Sequence, residues 1–389
     1  MTGNREDVDN LIIRGGPAGS MLAIRLADAG RRVTLLEKET AAHHKVCGEF
    51  LSREAVGYLE QAGVSLRELG ATEIDSLQLS SGRWRVCADL PFRALSLSRY
   101  VLDEAMMKHA QEGGCKLRRG VCVDSIEAHN NRWLIRLRDG ETLFAQSVFL
   151  ANGKHDVRGW SRKGGKQCDL VGFKMHWRLN PIETESLRGV MELFLFPGGY
   201  GGLSLVERET ANLCFVVRRT ELQRIGTWDT LHAAILSENL HLRRRMRDAD
   251  ALWERPLAVS SIPYGYLVNE PSGIWRIGDQ AAVVPSFTGD GMAIALHSGA
   301  LAAEMFLAGT SADEYHRTLA AQLSRGISLA THISRAMVTG AGRAFAPFGL
   351  RLFPHAVQWI ANSTRIPESA IRGNEKTQEK PAHRIERIA

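Results

Sequence analysis

The chain has 389 residues, 44% of them hydrophobic and 24% charged, which supports a sizeable buried core and two cooperating domains and excludes a disordered or fibrous chain. No run approaches the ~18 consecutive apolar residues of a spanning helix. The net charge is +6, and its densest cluster, Arg243-Arg244-Arg245 with Arg247, meets Asp248 and Asp250 at once without interleaved aromatics, so it reads as a solvated helix face rather than a nucleic-acid-binding patch.

The first ten residues are polar and carry acids, which is unlike a signal peptide or presequence. An apolar run, Leu11 to Ile13, then meets the glycine-rich turn Arg14-Gly15-Gly16-Pro17-Ala18-Gly19. Met21, Leu22, Leu26 and Ala29 follow at helical spacing until Gly30. A second strand over Val33 to Leu36 closes a βαβ unit and delivers Glu37. Such a carboxylate accepts hydrogen bonds from ribose hydroxyls, while the helix N-terminus faces a pyrophosphate. The turn, Glu37 and its neighbour Lys38 are therefore candidate dinucleotide ligands. One position departs from the G-x-G-x-x-G pattern: its glycine places fall on Arg14, Gly16 and Gly19. An arginine at the tight turn can point outward, pair with a phosphate or weaken cofactor binding, and an unsuitable backbone angle there costs about 1–2 kcal/mol.

Further along, Met191 to Leu205 alternates around Pro197-Gly198-Gly199 and predicts two strands and a turn. Phe194, Phe196 and Tyr200 read as core or wall residues. The stretch Thr227 to Arg247 reads as helical. A short apolar strand, Ile274 to Ile277, ends in Gly278-Asp279, an acid placed to bind the ribityl chain of a flavin. Beyond Pro285, the turn Gly289-Asp290-Gly291-Met292 opens a small-residue helix, Ala293 to Leu307. Its N–H donors and positive dipole end suit the negative N1–C2=O edge of a reduced flavin. The region Ile327 to Ile366 mixes aliphatic and aromatic residues with Arg335, Arg343, Arg351 and Arg365. It predicts a helical layer on the first domain, or an interfacial surface able to make peripheral membrane contact. From Gly373 the chain is polar, and disorder is expected to Ala389.

Six scattered cysteines, Cys47, Cys87, Cys115, Cys122, Cys168 and Cys214, lack paired spacing and argue against zinc and against a disulfide framework. A cytoplasmic location and no metal are the expectation.

Together Gly16-Pro17-Ala18-Gly19, Glu37, Gly278-Asp279 and Gly289-Asp290-Gly291 resemble the superfamily of FAD-dependent aromatic hydroxylases and geranylgeranyl reductases, from residue 8 to 310. Ser98-Arg99 with Leu102-Asp103 resembles its second block, whose arginine contacts the cofactor, and Ala151-Asn152-Gly153 its mid-chain turn, where Asp or Thr is usual at Asn152. Lys45-Val46-Cys47-Gly48-Glu49 is similar to the reductase-like members, which carry Cys-Gly near the flavin ring. Cys47 is thus a candidate proton relay or a small pocket residue, and Glu49 a substrate or flavin ligand or a solvated carboxylate. The halogenase branch's Trp-x-Trp-x-Ile-Pro motif has no counterpart here. Where the reductases place Tyr-x-Trp-x-Phe-Pro, Tyr200 stands but Gly202, Ser204 and Leu205 follow, which implies a roomier pocket with Tyr200 as a substrate wall.

The resemblance implies an α/β (α+β) fold: a discontinuous Rossmann-like FAD domain (1–80, 99–165 and 265–310), an inserted β-sheet substrate domain (81–98 and 166–264), and C-terminal helices (311–372). It implies FAD held by Gly15, Gly16, Pro17, Ala18, Gly19, Glu37, Lys38, Cys47, Gly48, Arg99, Gly153, Gly278, Asp279, Gly289, Gly291 and Met292. No second glycine fingerprint marks a nicotinamide domain, so NAD(P)H is expected as a transient donor at most. Three readings stay open. The first reduces or dehydrogenates a carbon–carbon bond of a hydrophobic small molecule, with Cys47 or water handling the proton. The second hydroxylates an aromatic or polyketide-like substrate through a C4a-hydroperoxide, and the third is a flavin-poor remnant without activity.

Overall fold

The computed structural model describes residues 5–345 and 355–371. The regions 346–354 and 372–389 fall outside that range, so Arg351 and the expected disordered tail do too.

In chain order the strands are β1 (Arg5–Ile13), β2 (Val33–Glu37), β3 (Phe50–Leu51), β4 (Thr72–Ser81), β5 (Trp84–Ser96), β6 (Lys116–Arg119), β7 (Val123–His129) and β8 (Arg132–Leu137). They continue with β9 (Thr142–Leu150), β10 (Leu170–Arg178), β11 (Gly189–Phe196), β12 (Gly199–Leu205), β13 (Ala211–Arg218), β14 (Asp250–Ala251), β15 (Leu257–Ser260) and β16 (Trp275–Arg276). The helices are α1 (Pro17–Asp28), α2 (Arg53–Gln61), α3 (Arg99–Glu112), α4 (Pro181–Leu187), α5 (Arg219–Ile225), α6 (Trp228–Glu238), α7 (Leu240–Arg245), α8 (Gly291–Leu307) and α9 (Ala312–Met337), with a terminal helix at His355–Thr364.

Two sheets organise these elements. The first runs β6-β2-β1-β9-β8-β7, with β16 also paired to β9. β1 lies between β2 and β9 and parallel to both. Helices cover it, so its inner strands read as continuous apolar runs: Leu11, Ile12, Leu35, Val148 and Phe149 are all buried. Small residues let α1 and α8 approach closely. A Cβ on Gly299 would meet the Ala18 carbonyl oxygen at 2.4 Å. α9 then packs over this layer through Tyr315, Leu319, Leu323 and Ile327 at helical spacing, and the Tyr315 hydroxyl donates to the Ser298 carbonyl at 3.1 Å.

The second sheet runs β14-β10-β13-β12-β11-β4-β5-β3, with β15 also paired to β10. It is antiparallel except where β4 and β11 run parallel. This sheet starts earlier in the sequence than expected. β3 lies before residue 81 and β4 ends on it, because their apolar faces complete the wall facing the first domain rather than the Rossmann-like sheet. On the outer face, Leu231, Ile235 and Leu242 of α6 and α7 pack on Phe173, Phe194 and Phe215. The single helical stretch expected from 227 to 247 is broken at Asn239, whose side-chain oxygen accepts from the Leu242 N–H at 3.0 Å and starts α7.

The arginine cluster is only partly a solvated face. Arg243 and Arg244 are exposed, but Arg245 is buried, donating to Glu183 and Glu192 at 2.7 Å each. Two carboxylates on α4 and β11 draw it inward, which no local pattern around residue 245 announces. Among the described residues, no helix is long and apolar enough to cross a membrane.

Candidate active site

A cavity of about 860 Å³ lies between the two sheets. It is lined on one side by Gly16, Pro17, Ala18, Glu37, Lys38, Cys47, Gly48, Arg99, Gly153, Gly278, Asp279, Gly289, Gly291 and Met292, and on the other by apolar side chains of the second sheet. Three backbone turns separated by more than two hundred residues of sequence thus converge, as expected for one extended ligand. Gly15 and Gly19 act behind the lining. The Gly15 N–H donates to Glu37 Oε2 at 2.9 Å. A Cβ on Gly19 would meet the Arg14 carbonyl oxygen at 2.1 Å, so this glycine lets α1 start directly beneath β1.

Arg14 occupies the first glycine place in a glycine-like conformation, with φ 89°. Its guanidinium neither points outward nor waits alone for a phosphate: Nη1 sits 3.2 Å from Glu37 Oε1. The same oxygen accepts from the Glu39 N–H at 3.1 Å. Burial pushes the Glu37 carboxyl up, but the charge of Lys45, the two backbone donors and Arg14 outweigh it and hold the group below its ordinary value.

Arg99 begins α3, whose Ser98 N-cap accepts from the Val101 N–H at 3.2 Å. Its guanidinium is fixed by Asp103 in a bidentate pair, at 2.6 and 2.8 Å. Lys45 also reaches Asp103, at 2.8 Å. A Cβ on Gly16 would lie 3.4 Å from Arg99 Nη2, which places this cation beside the glycine turn at the start of α1. Burial works against both charges, yet their pairing raises Arg99 and lowers Asp103.

Two residues without a motif tie the turns together. Arg162 donates to the Asp279 carbonyl at 2.8 Å and to the Lys154 carbonyl at 2.9 Å. Gln280 Nε2 reaches the Gly153 and His155 carbonyls at 2.9 and 3.0 Å. Asn152 lines the cavity, and its Oδ1 is buried without a hydrogen-bond partner.

Asp290 occupies the N-cap position of α8 behind Gly289 and Gly291, without a side-chain capping bond, and is buried. Arg365 Nη1 lies 3.5 Å from Asp290 Oδ1 and 2.6 Å from Glu54 Oε2. Burial outweighs the attraction of Arg365, and the Asp290 carboxyl is pushed up to about 6.

Glu49 is not a solvated carboxylate. It is fully buried, with φ 58°, next to the half-buried Cys47. The Lys174 ammonium bonds Glu49 Oε1 directly, the Arg99 N–H donates to the same oxygen at 2.8 Å, and His176 Nε2 lies 3.0 Å from Oε2. Burial would raise the Glu49 carboxyl; the His176 hydrogen bond and the Lys174 charge reverse the sign and lower it. Donor atoms of His44, Glu49 and His176 lie within 4.8 Å of one another, a spacing a cation can use, but the Lys174 ammonium already sits on that carboxylate. Sequence reading missed Lys174 and His176. The signal was available: two polar residues at i and i+2 on β10, a strand apolar from Leu170 to Trp177 apart from them, share one face.

Tyr200 lines the cavity, with its hydroxyl 3.0 Å from Ser334 Oγ and its ring edge-on to Phe287. Burial pushes its phenol up to about 12. Phe194 and Phe196 turn away into the outer core.

Comparison with known proteins fits this geometry. Residues 7–158 match the family described as FAD binding domain. The chain is 26% identical over 352 residues to the menaquinone reductase of Mycobacterium tuberculosis, covering 85% of this chain and 84% of the relative. It is 24% identical over 313 residues to digeranylgeranylglycerophospholipid reductase 2 of Methanopyrus kandleri, covering 77% and 76%. The chain is an FAD-dependent oxidoreductase, similar along most of its length to members of the superfamily of geranylgeranyl reductases and aromatic hydroxylases. This flavoenzyme also shares its fold with a flavin-dependent brominase, at a TM-score of 0.74 and 16% identity, over 96% of this chain and 100% of that one.

The polar groups present fit FAD. The Glu37 carboxylate at the end of β2 and the N–H donors at the open N-terminus of α1 suit the adenosine ribose and pyrophosphate. The Asp279 carboxylate, the α8 N-terminus and the unpartnered acceptor Asn152 Oδ1 could serve the flavin half. In this oxidoreductase the apolar wall begins where those groups end.

Proposed function

We propose that this flavoenzyme reduces, or in the reverse sense dehydrogenates, a carbon–carbon bond of a hydrophobic small molecule. The observation that carries the reading is the second half of the cavity. Leu77, Leu79, Leu90, Met191, Leu193 and Leu195 form a continuous wall, with Tyr200 closing it beside the Gly289 turn. Such a wall gains about 25 cal/mol for each Å² of apolar substrate surface it removes from water and offers little to a charged one.

Bound FAD supplies a hydride at N5, and NAD(P)H is its proposed transient source. The protein's part is to hold and exclude. Glu37, Arg99 and Asp279 fix the cofactor, the leucine wall positions the double bond and keeps water out, and the Cys47-Gly48 turn lies between the two. The reductase relatives match along most of their length, which supports the same reading.

The test is anaerobic. The FAD-loaded protein is reduced with dithionite and mixed with geranylgeraniol or a short-chain menaquinone in detergent micelles. Reoxidation of the flavin without oxygen, with a product whose isoprenoid chain carries two more hydrogens on carbon, is expected. Reoxidation that needs oxygen and yields a hydroxylated product would establish the monooxygenase reading instead.

A further inference from the structure

Adding hydrogen across a double bond requires a hydride on one carbon and a proton on the other. The cofactor accounts for the hydride, and the proton must reach an apolar chamber that excludes water. Tyr200 is a poor source, since burial has pushed its phenol up to about 12, and burial likewise pushes the Cys214 thiol up to about 12.

One assembly of side chains joins the rim to the chamber. Tyr100, 44% exposed, stacks on His44 with ring centroids 4.8 Å apart. His44 lies edge-on to His176 at 4.9 Å, and Trp253 packs against both rings at 4.6 and 4.7 Å, holding them in place. His176 meets Glu49 at 3.0 Å, and Lys174 meets the other Glu49 oxygen. Glu49 and His44 line the cavity, whereas Lys174 and His176 stand behind it. Structural needs account poorly for this arrangement. Burying an ammonium, a carboxylate and an imidazole together is expensive compared with an apolar core of the same volume, and β10 is otherwise apolar here. The buried Nδ1 of His44 has no hydrogen-bond partner among the described residues.

We propose that His44, His176, Lys174 and Glu49 form a proton relay that feeds the substrate chamber, with Glu49 as its exit. The inference rests on the reductase reading. Lys174 Nζ passes a proton to Glu49 Oε1, and Glu49 delivers it to the carbon opposite the one that received the hydride. His176 restores the proton through Oε2, and His44, whose ring nitrogen lies within 4.8 Å of His176 and Glu49, a gap that one water spans, draws its replacement from solvent. The balance is one hydride from reduced cofactor plus one proton from water, giving the saturated bond and oxidised cofactor. His44 suits the outer station: burial and the Lys174 charge push it down to about 4, so it is neutral at pH 7. A neutral imidazole takes a proton on one nitrogen while releasing one from the other.

The test compares wild type, the charge-conserving double variant Glu49→Gln with Lys174→Met, and the rim variant His44→Phe. Each is loaded with FAD, reduced anaerobically and mixed with geranylgeraniol or a short-chain menaquinone in H2O and in D2O. Wild type is expected to reoxidise with a solvent isotope effect. The double variant should slow by about a hundredfold, the lower range for general acid catalysis, while still holding flavin. His44→Phe should slow several-fold and recover with added imidazole, and it carries the test if the double variant fails to fold. Flavin-loaded variants that reoxidise at the wild-type rate with the same isotope effect would overturn the relay alone. Wild type that neither probe reoxidises would overturn the reductase reading and the relay with it.

Discussion

Arg14 stands where a glycine is required, and two substitutions separate its effects. Its φ of 89° costs a non-glycine residue about 1–2 kcal/mol, while its pair with Glu37 at 3.2 Å returns about 1 kcal/mol, since the arginine is partly exposed and the carboxylate buried. Arg14→Ala gives up the pair and keeps the strain. Arg14→Gly gives up the pair and releases the strain. The glycine variant should therefore match wild type to within about 1 kcal/mol, and the alanine variant should fall about 1–2 kcal/mol below the glycine one. Urea denaturation of the apoproteins at constant slope measures both. The cofactor supplies an independent readout. With Glu37 as the expected ribose ligand, Arg14 competes for it in wild type. Freeing one oxygen is worth about 1 kcal/mol, so FAD should bind Arg14→Gly roughly fivefold more tightly by fluorescence titration. Equal stability of the alanine and glycine variants would refute the strain argument. A glycine variant that loses flavin would show that Arg14 is itself a ligand, and wild type that stays colourless while the glycine variant turns yellow would mark this chain as carrying a weakened site.

Gly19→Ala places a Cβ against the Arg14 carbonyl, at 2.1 Å, so α1 must move off β1; flavin retention after desalting should be lost while the helical circular dichroism signal remains. Asp290→Asn tests a buried charge. The Asp290 carboxyl is raised to about 6 from 3.8, so its contribution to stability is fully present below pH 3.8 and is lost as pH rises through 6. The asparagine variant should be more stable than wild type at pH 8, by about 1–3 kcal/mol, with the difference vanishing near pH 4; an unchanged difference across that range would contradict the burial argument. The proposed membrane contact rests on Phe345 and Trp359, exposed by 69% and 59%, on the flanks of 346–354. Their double replacement by serine should lower sedimentation with anionic vesicles several-fold and leave flavin binding intact.

What the sequence revealed follows from the range of each interaction. The turns expected to hold the cofactor were legible because backbone geometry is written locally. Gly19 must lack a Cβ, Glu37 must follow its strand, and the Gly289 turn must open α8. The strands flanking Pro197-Gly198-Gly199 were legible for the same reason, with β11 ending at Phe196 and β12 beginning at Gly199. The buried ion pairs were not. Lys174 and His176 are 125 and 127 residues from Glu49, and Arg365 is 311 from Glu54. Neither residue type nor local spacing tells a solvated carboxylate from a desolvated one, which is why Glu49 stayed ambiguous and Arg245 read as surface.

That asymmetry bears on where specificity within this superfamily resides. The residues that fit FAD are fixed by local backbone demands. The residues set to act beside it are held by contacts between elements far apart in sequence. Glu49 shows both constraints in one residue: its backbone turns the chain at φ 58° after Cys47-Gly48, and its carboxylate takes Lys174 and His176 from β10, a distant strand of the sheet that Glu49 enters at β3. A change in β10 that removed either partner would leave every cofactor turn intact and would alter the protonic side of the chemistry alone. A superfamily can in this way keep one flavin cradle and exchange reactions by editing a strand that never touches it.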